Sequence, residues 1–345
     1  MNDEARNAGP AAAEVATLRQ LIMGFRTSQM IYVAAKLGLA DHLGERPQTA
    51  EALANAVGAE PRALYRLMRA LASIGIFAET DGEMFELTPT ARLLQSTAAG
   101  SLRSSALIYG DDVFWRTYGG MLHSVMTGRP AFDHCHDEPL FAYLETHPAA
   151  ASLFHDAMSG FSEQETAAIL AAYDFSGFGS LVDIGGGHGA LVVALLRTHA
   201  HLRAVILDLE PAAHGAQRLL SEAGLTARAT FAAGDFFDTI PEGGDVYVLK
   251  SVLHNWDDGA ALRILRNCRQ VMAEHARIVV IERVIPPVTA PSEAILFDIN
   301  MLVVLGGQER TQKEYEGLFH TAGLALTRVI PTLSPLSLIE GVPVS

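Results

Sequence analysis

The stretch that most constrains this chain is Leu181-Val-Asp-Ile-Gly-Gly-Gly-His-Gly-Ala190. Its four mostly apolar leading residues predict a short buried strand, and the apolar run from Leu191 to Leu196 predicts a helix packed on the same sheet. Between them, five residues containing four glycines turn the chain sharply. Glycine is needed where the backbone must bend tightly and let a ligand approach where a Cβ would collide. The start of the following helix adds free N–H groups and the positive end of a dipole. Strand, turn and helix together form a cradle for a cofactor. Gly185, Gly187 and Ala190 fit the pattern G-x-G-x-x-G/A, while Gly185, Gly187 and Gly189 fit G-x-G-x-G.

The first pattern belongs to dinucleotide enzymes and the second to enzymes that use S-adenosylmethionine (SAM), so the rest of the chain has to decide. A length of 345 residues allows two domains, and a hydrophobic share of 49% allows a large core and excludes global disorder. The net charge of −14 argues against a nucleic-acid or anionic-membrane partner, because both are themselves negative. Cys135 and Cys268 lie far apart and make neither a disulfide framework nor a C-x-x-C metal pair, which fits a reducing cytoplasm. The polar start Met1-Asn-Asp-Glu-Ala lacks a secretion-signal pattern, and no apolar run approaches the ~20 residues of a membrane span. The expectation is a soluble, cytoplasmic protein.

Residues 1–11 read as a frayed tail. From Ala12 to Leu39, apolar residues at spacings of three and four (Leu18, Leu21, Ile22, Phe25, Met30, Val33, Leu37) predict a long amphipathic helix or a broken pair. Its wide stripe suits either ordinary core or a second subunit. Thr49 to Gly58 predicts a capped short helix, and Ala59 to Leu71 a second with Pro61 in its first turn. Ile74–Phe77 and Met84–Leu87 then bracket Asp81-Gly82 as the arms of a hairpin. Two helices and a hairpin make a winged-helix-like unit. Arg62, Arg66 and Arg69 have recognition-helix spacing, but a solvated helix face suits the acidic chain better than DNA reading.

Residues 101–175 read as mostly helical. Within them, Asp133-His-Cys-His-Asp-Glu138 looks like a metal cluster, but adjacent residues in a loop rarely converge on one ion. The expectation is a polar connection and no metal. From Leu181 the chain alternates strand and helix, which predicts a parallel α/β sheet whose last two strands pair antiparallel at one edge. Asp208 closes the second strand, where an acid accepts hydrogen bonds from ribose hydroxyls. Asp235-Phe236 follows the third strand, offering an acceptor for an adenine amino group and a ring to cover the base. His254 follows the fourth strand, at the crevice where chemistry occurs, as a base with a pKa close to working pH.

Six segments now resemble the small-molecule SAM-dependent O-methyltransferases, that is, the plant caffeate and flavonoid enzymes and their bacterial relatives in antibiotic tailoring. They are Val-Asp-Ile-Gly-Gly-Gly-His-Gly (182–189), Leu-Asp-Leu (207–209), Gly-Asp-Phe-Phe (234–237), Leu-Lys-Ser-Val-Leu-His-Asn-Trp-Asp-Asp (249–258), Ile-Glu-Arg-Val-Ile-Pro (281–286) and Gly-Gly-Gln-Glu-Arg-Thr (306–311). Val-Ala-Ala-Lys-Leu-Gly-Leu (33–39) in the N-terminal part is similar to the same family. The resemblance implies a Rossmann-like seven-stranded methyltransferase domain over 101–345, with a helical substrate-pocket segment at 101–175 and the core at 176–345. It implies that residues 1–100 form the mostly helical winged-helix-like dimerisation domain of a homodimer. His254 takes the general-base position, and Glu282 and Glu309 those of two acids flanking it. Gly185, Gly187, Asp208, Leu209, Asp235, Phe236 and Lys250 fall on SAM-contacting positions, as does Ser162 by a looser match.

The implied reaction passes a methyl group from SAM, leaving S-adenosylhomocysteine (SAH), to a hydroxyl of a small aromatic or polyketide-type acceptor. Trp115, Phe154, Met158, Asn255, Met301 and Val304 are the candidate acceptor-pocket residues, since aromatic and methionine walls suit a flat apolar molecule. Asn255 departs from the aspartate of many relatives and bears on acceptor choice. N- or C-methylation, a nicotinamide-dependent dehydrogenase and a SAM-binding regulator using the winged helix are the competing readings. The six-segment match and Asp235-Phe236 weigh against the dehydrogenase.

Overall fold

A computed structural model describes residues 8–287 and 291–344. The chain falls into two compact units, Met1–Arg116 with Pro148–Gly160, and Thr117–His147 with Phe161–Ser345.

In the first unit the long apolar stretch is a broken pair of helices, Ala8–Ile22 and Gly24–Lys36. The first begins at Ala8, inside the stretch expected to be a tail. Pro10 is tolerated there because the N–H groups of a first turn have no intrahelical partner. Thr49 caps helix Ala50–Val57 by accepting the Ala52 N–H at 3.2 Å, and Gly58 closes it at φ +71°. Glu60 caps helix Pro61–Ser73, which buries Leu64, Met68 and Leu71. Arg62, Arg66 and Arg69 lie on its exposed face. The expected first hairpin arm is displaced: Ile74 to Ile76 finish the helix, with the Ile76 N–H bonded back to Leu71 O at 3.0 Å, and the strand is Phe77–Thr80. It pairs antiparallel with Met84–Leu87, which also pairs with Gln48–Thr49.

The second unit is built on a seven-stranded sheet. In chain order its main elements are β1 Ser180–Ile184, α1 Ala190–Thr198, β2 Arg203–Asp208, α2 Ala213–Glu222, β3 Ala229–Ala233, β4 Val246–Lys250, α3 Asp258–Val271, β5 Arg277–Glu282, α4 Glu293–Val304, α5 Gln312–Thr321, β6 Leu324–Pro331 and β7 Ser337–Pro343. The order across the sheet is β6-β7-β5-β4-β1-β2-β3. Five strands are parallel, and β7 runs antiparallel between β5 and the edge strand β6. Strands β4 and β5 read as unbroken apolar runs because they are covered on both faces. Asp257 caps α3, and Thr311 with Glu314 forms a capping box on α5. The order reverses at β1, between β4 and β2, so the crevice that binds ligands in such sheets opens at the C-terminal ends of these strands.

The expected connection at Asp133–Glu138 is instead largely a short helix, Ala131–His136. Its start buries Ala131 and Phe132. The Phe132 ring lies 4.5 Å from that of His136 one turn on, and His134 stacks on His123 at 4.1 Å. Ring packing holds these aromatic and histidine side chains. Among the described residues no helix is long and apolar enough to cross a membrane.

Candidate active site

The glycine turn leaves β1 with Gly185, Gly187 and Gly189 at φ +69°, +55° and +81°, a region costly for side chains. A Cβ at Gly185 would meet Val252 at 2.8 Å, and one at Gly189 would meet Ile206 at 2.4 Å. A Cβ at Gly186 would meet the Asp183 carboxylate at 2.4 Å. Asp183 is fully buried beneath the turn, and burial pushes its pKa up to about 7 against the opposing charge of Lys250. Lys250, at the end of β4, pairs with Glu165 at 2.6 Å.

Asp208 and Asp235 stand at the ends of β2 and β3. The Asp208 carboxylate accepts the Gly187 and Leu209 N–H groups, both at 2.7 Å, and so ties the glycine turn to the next strand. Asp235 accepts the Phe237 N–H at 2.8 Å. Each carboxylate oxygen offers more than one lone pair, so both acids keep capacity for a ligand's hydroxyl or amino groups. Phe236 is half-buried, edge-on to Trp256 at 6.2 Å. A glycine cradle, a strand-end acid for a ribose and an acid beside an aromatic ring fit an adenosine-bearing cofactor. The Leu209 side chain is 57% exposed. Ser162 lies in helix Pro148–Ala172, and its side chain lies outside the described residues.

His254 sits in a 3-10 turn, Leu253–Asn255, just after β4, and is buried. Its Nδ1 lies 2.8 Å from Glu309 Oε1. A carboxylate only accepts, so Nδ1 carries the proton and donates, which leaves Nε2 as the basic nitrogen. The two acids expected to flank the imidazole divide the work. Glu309 holds the ring. Glu282, at the end of β5, accepts the Val252 and His254 backbone N–H groups, both at 3.1 Å, and a hydrogen bond from the Tyr315 hydroxyl. It therefore fixes the backbone, not the ring. Burial acts to lower the pKa of His254, but the Glu309 hydrogen bond and the charges of Glu282 and Glu309 outweigh it, so the pKa lies above the usual imidazole value.

Several supports escaped sequence reading although they lie inside the quoted segments. Arg310 is fully buried and donates to Leu253 O at 3.1 Å, Trp256 O at 2.8 Å and Asp258 Oδ1 at 2.9 Å. Gln308 N–H donates to His254 O at 2.9 Å. Arg283 lies 3.8 Å over the Phe297 ring, which faces His254 nearly parallel at 6.4 Å. For Arg283 the available signal was an arginine inside the apolar strand-end run Ile281 to Ile285, whereas Arg310 follows a polar stretch and had none. Of the acceptor-pocket candidates, Asn255, Met301 and Val304 belong to this unit, and Trp115, Phe154 and Met158 to the first. Met301 and Val304 are buried on α4, and Asn255 Nδ2 donates to Ser251 O at 3.2 Å.

Comparison with known proteins gives consistent matches. Residues 118–325 match the profile of the O-methyltransferase domain, and residues 19–97 that of the O-methyltransferase dimerisation domain. The chain is 42% identical to a phenazine O-methyltransferase of Lysobacter antibioticus, over 95% of this chain and 96% of that protein. It is 33% identical to an 8-amino-8-demethylriboflavin N,N-dimethyltransferase of Streptomyces davaonensis, over 96% of each. An O-methyltransferase from neocarzinostatin biosynthesis, solved with SAM and 2-hydroxy-5-methyl naphthoic acid, aligns with a TM-score of 0.79 and 34% identity over 92% of this chain and 96% of that one.

Proposed function

The chain belongs to the O-methyltransferase family of SAM-dependent enzymes, and on that premise we propose that it methylates a phenolic hydroxyl of a small aromatic or polyketide-type secondary metabolite, with His254 as general base. The observation that carries the reading is the buried 2.8 Å bond between His254 Nδ1 and Glu309. It sets the tautomer, orients the ring and stabilises the imidazolium formed when Nε2 takes a proton. A phenol is a poor nucleophile until that proton leaves. When bound, SAM supplies a strongly electrophilic methyl on its sulfonium. Gly185, Gly187, Asp208, Asp235 and Phe236 would hold its adenosine part. Leu209, Lys250 and Ser162, which the resemblance puts on cofactor-contacting positions, belong to the same proposed site. Positioning of the acceptor oxygen by the pocket supplies much of the rate.

The direct test is mass spectrometry of products from SAM and a panel of phenols and aryl amines. A methyl ether is expected. Methylated nitrogen alone would move the enzyme to the chemistry named for its Streptomyces davaonensis relative. Asp208→Ala is expected to weaken SAM binding about 10- to 100-fold, the worth of a charge-assisted hydrogen-bond pair. Calorimetric titration measures it, and unchanged affinity would remove Asp208 from the cofactor site.

The proposal includes a homodimer through the N-terminal unit. Leu18, Leu21, Ile22 and Phe25 are all more than half exposed, a large apolar face for a lone chain. Light scattering is expected to give twice the mass of one chain, and Leu21→Asp with Phe25→Asp is expected to shift the mass to one chain.

A further inference from the structure

Among the described residues, four buried side-chain polar atoms have no hydrogen-bond partner: Ser124 Oγ, Trp256 Nε1, Arg283 Nε and Glu309 Oε2. Three of the four are on residues around His254. Buried polar groups in native folds are nearly always paired, so a cluster of exceptions is a place where a bound water or a ligand completes the bonding. Arg283 is the most demanding of them. Its residue is only 8% exposed, and it carries a guanidinium with five N–H donors and no acceptor.

Two buried carboxylates, Glu282 and Glu309, occupy the same neighbourhood, yet neither forms an ion pair with Arg283. Glu309 spends one oxygen on the imidazole, and Glu282 spends its oxygens on two backbone N–H groups and Tyr315. What holds Arg283 is the face of Phe297 on α4, with Cζ 3.8 Å from the ring centroid. A guanidinium stacked in this way keeps its N–H edge in the ring-parallel plane, the geometry that suits a carboxylate with two parallel hydrogen bonds. Phe297 in turn lies nearly parallel to the His254 ring, at 16°. Arg283 is thus held near His254, and no described side chain forms an ion pair with it.

We propose that Arg283, seated on Phe297, is the anion anchor of the acceptor site, and that the acceptor carries a carboxylate on its aromatic ring system. This rests on the methyltransferase reading above and adds the substrate class to it. A monoanionic carboxylate suits the site better than a phosphate, whose second charge the nearby Glu282, Glu309 and Asp298 would repel. The anchor also links binding to chemistry. The Arg283 charge opposes protonation of His254. A carboxylate laid against Arg283 offsets that field, so acceptor binding itself strengthens the base.

The test compares matched probes in the presence of SAH, so that no turnover is needed: 3,4-dihydroxybenzoate against 3,4-dihydroxybenzamide, and 1-hydroxy-2-naphthoate against its amide. Calorimetry is expected to show at least tenfold tighter binding of one carboxylate than of its amide. Arg283→Gln is expected to bring the pair within threefold by weakening the carboxylate alone, and Arg283→Lys, which keeps the charge without the fork, to fall between. The absence of any carboxylate preference in the parent protein overturns the proposal, whatever the variants do. So does a preference that survives in Arg283→Gln. Loss of both probes in equal measure in Arg283→Gln also overturns it, because that is the mark of a structural role. Failure of the methyltransferase reading is separately visible, as a parent protein that prefers the carboxylate but transfers no methyl from SAM to any phenol or amine.

Discussion

Replacing His254 with alanine is expected to lower kcat by about 10³-fold, within the range of a positioned general base, while SAM affinity stays within about threefold. The backbone of residue 254 is held by Glu282 and Gln308 regardless of its side chain, so the loss falls on proton transfer rather than on the fold. The pH dependence carries a sign. As the proposed base, His254 would work unprotonated, and its pKa lies above the ordinary imidazole value. The parent kcat should therefore rise with pH through that raised value and level off above it. Glu309→Gln removes a hydrogen-bonded carboxylate that favours the imidazolium. Its pH limb should move to lower pH, while the plateau falls by about 10²-fold because the base is weaker and less firmly oriented. Stopped-time assays from pH 5.5 to 9.5 read both effects. A His254→Ala enzyme at the parent rate would remove the base assignment.

Gly307→Ala is the second large effect, and it needs no chemistry. A Cβ there would lie 2.0 Å from the His254 carbonyl oxygen and 2.6 Å from the Asn255 carbonyl carbon, both backbone atoms. A flexible side chain could swing aside, but these atoms cannot move without dragging the 3-10 turn that bears His254. The expected cost is about 3–5 kcal/mol of stability or an equivalent loss of activity, the scale of severe core overpacking. Denaturant midpoints and kcat on the same preparation measure it. Gly317→Ala is the control. It lies in α5, with nothing within 4 Å of its Cβ position. It is expected to gain about 0.5–1 kcal/mol, because alanine suits a helix interior better than glycine.

The fold was largely legible because its elements are local. From Leu181 strand and helix alternate as the apolar runs and turn residues predict. The antiparallel end of the sheet follows from a connection too short for a crossover helix. Legibility failed where packing overrode composition. Asp133 to Glu138 reads as a polar connection, yet buried Ala131 and Phe132 and the stacking of His134 on His123 draw it into a helix. In the site, His254, Asp208 and Asp235 announce themselves because each ends a strand or opens the turn after one. Glu282 and Glu309 were found as a pair, but which one holds the ring and which the backbone depends on contacts across 28 and 55 residues. Gly307 carries no signal of its own, since its necessity lies in a carbonyl more than fifty residues away. Arg310 carries no sequence mark of its burial and Arg283 only its place in an apolar run, since a positive charge in an acidic protein reads as surface until its packing is known.

The 3-10 turn behaves as a socket. The His254 N–H and that of the preceding Val252 are pinned by Glu282, the Leu253 and His254 carbonyls by Arg310 and Gln308, and none of these bonds involves the imidazole. Mutation can therefore exchange the side chain at 254 without rebuilding the frame that presents it. A phenol needs a strong base at that point, whereas an amine brings its own lone pair and needs little help. A scaffold with a fixed frame and a replaceable plug can drift between oxygen and nitrogen acceptors by single substitutions, which offers a physical reason for one architecture serving both kinds of tailoring reaction.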